Sequence, residues 1–161
     1  MNLGVEHIGE ILQQRSDVLA TAESCTGGLV AECITNIPGA SAWYAGGWVT
    51  YSNEMKMNQL GVQEEMLREY GAVSEQVAIA MCQGAILQSK ATVALSTTGI
   101  AGPSGGTDIK PVGTVFIGCI VAGEAQVNRY LFSGTRGEVR EQTVAESFRL
   151  LGNMLSDETI L

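Results

Sequence analysis

Apolar positions at the start of the chain recur with a helical period. Val5, Ile8, Ile11 and Leu12 share one face, so residues 3–16 are expected to form an amphipathic helix. The apolar run Val18, Leu19, Ala20 marks a strand over about 17–22. A second helix (Leu29, Val30, Cys33, Ile34) should end near Asn36, because Pro38 and Gly39 stop it. Residues 43–51 are aromatic and β-branched and predict a strand with an irregularity at Gly46-Gly47. Ser52 or Asn53 then caps a short helix to Leu60, which Gly61 closes. One or two further helical turns fall in 63–69 and end at Gly71. Ser74 opens a clear helix running to about Lys90, with Glu75 in its first turn and Val77, Met81 and Ile86 inside. Residues 92–97 read as a strand, and 112–121 and 125–132 as a strand pair about Gly123. The last helix starts at Thr135 or Gly137 and turns Val144, Phe148, Leu151 and Leu155 inward, with a frayed tail after Ser156.

Strands and helices alternating at this rhythm predict an α/β domain with helices on both faces of the sheet. The terminal strand pair makes that sheet mixed. No repeat, linker or composition break divides the chain, so residues 1–161 are read as a single domain.

Composition narrows the function. Hydrophobic residues make up 45% of the chain and charged ones 16%, enough apolar surface for a sizeable core. The net charge of −8 argues against nucleic acid as a partner, since a phosphate-backbone binder needs a basic face. The longest nearly apolar run, 115–123, is far too short to span a bilayer, and no export signal opens the chain. The four cysteines (Cys25, Cys33, Cys82, Cys119) form no C-x-x-C pair and His7 is the sole histidine, so a zinc site is not expected. Reduced thiols and a cytoplasmic location follow from that pattern.

The stretch from Thr21 to Gly28 concentrates candidate chemistry. Strand, tight turn and helix follow one another here, and Gly27 and Gly28 let the backbone approach a ligand. Ser24, Cys25 and Thr26 fall where the N–H groups of a helix start favour an anion or a developing oxyanion. Ser24 reads either as a nucleophile or, with Thr26, as a simple helix cap. Cys25 is the neighbouring alternative nucleophile, but adjacent positions point differently. With His7 on the first helix, a lysine is the next candidate base. Lys56, in a helix first turn, reads either as a solvated residue or as a lysine whose amine is kept neutral by its position. Tyr51, at the end of the preceding strand, can face the same cleft, giving a nucleophile–relay–base series Ser24, Tyr51, Lys56.

Anion-binding candidates lie elsewhere. The Gly- and Pro-rich stretch 98–114, with Thr98, Gly99, Gly102 and Lys110, is a phosphate cradle or a surface loop. It carries neither the P-loop nor the dinucleotide glycine pattern. Arg136 and Arg140, four apart at the start of the last helix, suit a phosphate or carboxylate or are ordinary surface arginines.

Five motifs occur in order: Ala22 to Gly28, the Val49-Thr50-Tyr51-Ser52-Asn53 run followed by Lys56, Gly71 to Ser74, Thr98 to Pro103, and Lys110 to Thr114. Together they closely resemble the C-terminal domain of the CinA (competence/damage-inducible) family over about residues 5–155. The resemblance implies a three-layer α/β/α sandwich, commonly oligomeric. It implies hydrolysis of nicotinamide mononucleotide to nicotinate mononucleotide and ammonia, a pyridine-nucleotide recycling step that calls for no cofactor or metal. It also implies Ser24 as nucleophile with Tyr51 and Lys56 as its activating partners. Thr26, Gly27, Gly28, Thr98, Gly99, Gly102, Lys110, Arg136 and Arg140 are the substrate-binding candidates. The chain departs from common family residues at Gly46, Ser104 and Thr135. A silent nucleotide-binding paralogue and an amidase for another small substrate are the alternatives.

Overall fold

The computed structural model describes residues 4–157, Asp157 by its backbone alone. The expected frayed tail lies mostly outside the described residues, as does the first residue of the expected N-terminal helix. Twelve elements follow in order: α1 (Val5–Gln14), β1 (Leu19–Glu23), α2 (Leu29–Thr35), a 3₁₀ turn (Ala40–Ala42), β2 (Tyr44–Val49), α3 (Asn53–Leu60), α4 (Glu64–Tyr70), α5 (Glu75–Ser89), β3 (Val93–Gly99), β4 (Thr114–Val121), β5 (Glu124–Leu131) and α6 (Arg136–Asp157).

The strands form one mixed sheet in the order β2-β1-β3-β4-β5. β1 is parallel to both β2 and β3, while β3–β4 and β4–β5 are antiparallel. Alternation along the strands assigns the two faces. Leu19, Val93, Leu95, Val115 and Ile117 pack with Ile8 and Leu12 of α1, Val30 and Ile34 of α2, and Phe148 and Leu151 of α6. Ala20, Ala22, Ala94 and Ile120 face the other way, onto Leu60 of α3, Leu67 of α4 and Val77 and Met81 of α5. The result is the expected three-layer α/β/α sandwich.

Local sequence explains the boundaries. Ser52 caps α3 by accepting from the Met55 N–H at 3.1 Å, and Gly61 ends it in the left-handed region at φ 68°. Ser74 caps α5 through the Val77 N–H. Thr135 and Glu138 form a reciprocal capping box at the start of α6, and those bonds hold the Glu138 carboxyl below its usual value. Two details went unread in the sequence. A 3₁₀ turn precedes β2, and β2 starts at Tyr44, because Trp43 turns into the core with 2% exposure. Its indole lies where a Cβ on Gly9 would be 2.6 Å away, so α1 approaches it closely. The irregularity expected at Gly46-Gly47 falls one residue earlier, at Ala45: Leu19 pairs with Tyr44 and Ala20 with Gly46.

Candidate active site

All three parallel strands end on the same side of the sheet, and the chain leaves β1 and β3 toward different neighbours. That is where open α/β sheets form ligand crevices. The ladder persists one residue beyond the strands. The Ser24 N–H donates to Thr97 O at 2.9 Å, and the Thr50 N–H to Glu23 O at 2.8 Å. These two bonds fix Ser24 at the tip of β1, between the tips of its neighbours.

A cavity of about 300 Å³ opens there, and Ser24, Cys25, Tyr51, Lys56, Thr98, Gly99, Gly102 and Arg136 are among its walls. Lys56 reaches it from the first turns of α3. Its Nζ donates to Ser24 Oγ at 2.8 Å and to Thr50 O at 2.8 Å. The side chain is 1% exposed, so the solvated-helix reading of Lys56 is overturned. Burial lowers its pKa from 10.5 to about 8, against a smaller opposing influence from Cys25. At a pKa of about 8, roughly one-tenth of the amine is neutral at pH 7, far more than for an ordinary lysine. Burial acts oppositely on Cys25, pushing its thiol up to about 11, so it stays protonated. The Ser24 hydroxyl, not the Cys25 thiol, is hydrogen-bonded to the Lys56 amine.

The structure rearranges several sequence expectations. Tyr51 does not bridge Ser24 and Lys56, which touch directly. Its hydroxyl accepts from Arg136 Nη2 at 2.7 Å across the cavity, and its side chain is 62% exposed. The N-terminal N–H groups of α2 do not await an external anion. The Glu23 carboxylate accepts from the N–H groups of Gly28 (3.2 Å), Val30 (2.9 Å) and Ala31 (3.1 Å), and from the Thr26 hydroxyl at 2.6 Å. Thr26 is fully buried and also bonds Thr97 Oγ1, so it braces the turn instead of facing a substrate. Gly27 and Gly28 adopt φ 59° and 105°, which is the conformational freedom the turn needs. Neither glycine is among the cavity walls.

Lys110 sits apart from the cavity. Its Nζ donates to Tyr70 O at 2.7 Å, beside a separate groove with Glu69 and Glu75. Arg140 is also turned away: Nε donates to Cys25 O at 3.1 Å and Nη2 to Thr26 O at 2.9 Å. Arg136 does face the cavity, with Nη1 on Gly102 O at 2.8 Å. Thr98 lines the cavity but its hydroxyl donates to Ala72 O at 2.8 Å. His7 pairs with Glu10 on the exposed face of α1, away from this site.

Four contributors were given no role from the sequence. Ala72, Val73 and Ile100 supply apolar wall, and only their place inside the quoted motifs hints at it. Glu23 was the more legible omission, since an acid just before a helix start suits the helix dipole. Among the described residues no group of three or more His, Cys, Asp or Glu side chains gathers to hold a metal ion, and no helix is long and apolar enough to cross a membrane.

Fold and site together define a class: a three-layer α/β/α domain with a buried serine–lysine pair at the carboxyl ends of its parallel strands. The sequence model of the CinA C-terminal domain matches residues 4–155, and the chain belongs to that family. It is 47% identical to the nicotinamide-nucleotide amidohydrolase PncC of Escherichia coli K12, over 96% of this chain and 94% of that protein. It is 46% identical over 96% of its length to a CinA-like protein of Syntrophobacter fumaroxidans, but spans only 36% of that longer chain. Among solved structures, a CinA superfamily protein from Klebsiella pneumoniae superposes with a TM-score of 0.91 at 35% identity, covering 95% of this chain and 96% of that one. The protein CihA from Agrobacterium tumefaciens gives 0.87 at 38%, covering 97% and 99%.

Proposed function

We propose that this chain is a nicotinamide-nucleotide amidohydrolase, converting nicotinamide mononucleotide to nicotinate mononucleotide and ammonia through a Ser24 nucleophile. Near full-length similarity to PncC supports the substrate. The observation that carries the mechanism is the 2.8 Å contact between Lys56 Nζ and Ser24 Oγ in a buried setting.

An amide is a poor electrophile, so the hydroxyl must be activated and the oxyanion stabilised. Neutral Lys56 takes the Ser24 proton as Oγ attacks the amide carbon. The protonated lysine then returns that proton to the leaving nitrogen, and the C–N bond breaks to release ammonia and leave an ester on Ser24. Lys56 next deprotonates a water that attacks the ester, and that proton goes back to Ser24 as the acid is released; the acid then gives up its own proton to ammonia or solvent. The N–H groups of Gly28, Val30 and Ala31 are already committed to Glu23, and that of Gly27 to Ser24 O. Of the turn residues outside these bonds, Cys25 is the one among the cavity walls, and its N–H is the turn donor we assign to the oxyanion.

Arg136 is the cation we assign to the substrate phosphate. Besides Lys56 it is the one basic residue among the cavity walls, and its guanidinium keeps donors beyond those used on Tyr51 and Gly102. Tyr51 holds that guanidinium and closes the cavity mouth, while Thr98, Gly99 and Gly102 form the wall behind it. The acidic chain fits a small-molecule substrate and no nucleic acid. We further assign a homo-oligomer working in the cytoplasm. The unpaired outer edge of β2 and the exposed apolar Leu87 and Leu131 favour self-association, which light scattering checks.

Ammonia release from nicotinamide mononucleotide by the purified chain and by Ser24→Ala tests the reading. Turnover by the parent, with a loss of about 10³-fold or more in the variant, is the expected result. A folded parent that releases no ammonia overturns it.

A further inference from the structure

We propose that Arg140 is a positioning residue that holds the Ser24 turn against α6, in register with Lys56, and is not a ligand of the substrate. The proposal rests on Ser24 being the nucleophile, as read above.

The turn from Cys25 to Gly28 lies outside any repeating ladder. Gly27 and Gly28 pass through the left-handed region, so the backbone itself gives the turn little stiffness. Two clamps grip it from different elements. The inner one is the Glu23 carboxylate, which takes the Thr26 hydroxyl and three N–H groups at the start of α2. The other is Arg140, whose Nε and Nη2 reach the successive carbonyls of Cys25 and Thr26, the two residues after Ser24. A planar guanidinium fork spans two neighbouring acceptors, which a lysine ammonium, a single point charge, does not reproduce.

The geometry separates Arg140 from Arg136 one helical turn earlier. Arg136 lines the cavity and touches Tyr51 and the Gly102 carbonyl. Arg140 is half-buried, is absent from the cavity walls, and spends its described hydrogen bonds on the turn. A Cβ on Gly27 would stand 3.2 Å from Arg140 Nη2, so glycine also makes room for the guanidinium. Through these contacts α6 sets where Ser24 Oγ meets Lys56 Nζ. A displacement of about 1 Å at such a contact costs on the order of 10²-fold in rate.

The test compares Arg140→Ala, Arg140→Lys and Arg136→Ala with the parent, each first checked for a cooperative thermal transition. Two rates are read: steady-state release of ammonia from nicotinamide mononucleotide, and covalent modification of Ser24 by phenylmethylsulfonyl fluoride, which carries no phosphate. In both Arg140 variants, kcat and the modification rate are expected to fall together by about 10²-fold, with KM nearly unchanged. Added guanidinium ion is expected to restore part of both rates in Arg140→Ala but not in Arg140→Lys, whose side chain fills the space. Arg136→Ala is expected to raise KM and leave the modification rate near that of the parent. A raised KM with an unchanged modification rate in the Arg140 variants overturns the proposal and makes Arg140 a substrate ligand. Should the parent be modified at Ser24 yet release no ammonia, the substrate reading fails and the clamp is judged on the modification rates alone. If the parent neither releases ammonia nor is modified at Ser24, both fail; if it turns over but resists the reagent, the clamp is judged on whether kcat falls at unchanged KM in the Arg140 variants.

Discussion

The carbonyl of Leu60, at the end of α3, occupies the space where a Cβ on Gly84 would stand. α3 lies directly on α5 at this point, and α3 is the helix that carries Lys56. Gly84→Ala must therefore push α3 away from α5. We expect a loss of about 1–3 kcal/mol of stability in a denaturant titration, as for other overpacked interiors. Because Lys56 rides on the displaced helix, activity is expected to fall even at temperatures where the variant is fully folded. A variant with normal activity per folded molecule would show that Lys56 does not depend on this contact.

With Lys56 as the proposed base, activity is expected to depend on pH. Only a neutral amine can take the Ser24 proton, and burial places the Lys56 pKa at about 8. The value of kcat/KM is expected to rise with pH and level off above an apparent pKa near 8. A flat profile between pH 6 and 9 would remove Lys56 as the base.

The same burial has a cost in stability. The folded-state pKa of Lys56 lies below its ordinary value of 10.5, so between about 8 and 10.5 the unfolded chain binds more protons than the folded one. Stability from this group accordingly rises with pH across that window, and the penalty of the buried charge is fully present below it. Lys56→Met is expected to be inactive but to melt higher than the parent at pH 7. That advantage should shrink as the pH climbs past 8, as differential scanning measurements across pH would show.

Tyr51 and Arg136 are expected to act as a pair. Their 2.7 Å hydrogen bond joins two residues of the cavity wall. Tyr51→Phe and Arg136→Ala should each raise KM, while the double variant should cost less than the sum of the two. A coupling of about 0.5–3 kcal/mol in kcat/KM is the range for residues in contact. Strict additivity would mean that the two groups serve the substrate independently.

Glu23→Gln probes the inner clamp. The substitution keeps the shape but replaces one acceptor oxygen by a donor that faces N–H groups at the start of α2. A loss of about 1.5–3 kcal/mol in urea unfolding is expected from breaking charge-assisted bonds in a buried setting. An unchanged midpoint would show that the carboxylate is not what orders this turn.

Much of this was written in local pattern. The spacing of Val5, Ile8 and Leu12 marked α1, and the Ser74 and Ser52 caps and the stop at Gly61 marked helix ends. Gly46-Gly47 announced an irregularity in β2, which falls next to them at Ala45. The mixed, three-layer sandwich followed from the order of elements, because strand–helix alternation and a terminal strand pair leave few other arrangements. Ser24, Tyr51, Lys56, Thr98, Gly99, Gly102 and Arg136 were singled out by residue type and position, and all seven line one cavity.

Direction and partnership were not local, and only the tertiary structure decided them. Lys56 read either as a solvated residue on a short polar helix or as a base, and the choice fell only when α3 packed against the sheet and buried it beside Ser24, 32 residues away. The N–H groups of α2 looked like an anion site, but the carboxylate that fills them comes from the end of β1, brought close by the turn between the two elements. Arg136 and Arg140 were indistinguishable as two arginines on one helix face. Their separation depends on where α6 crosses the strand ends, which places one guanidinium over the cavity and the next against the Ser24 turn. Periodicity determines which face of an element is buried. Which polar group a side chain meets depends on elements far apart in sequence, and that information exists only once they are packed.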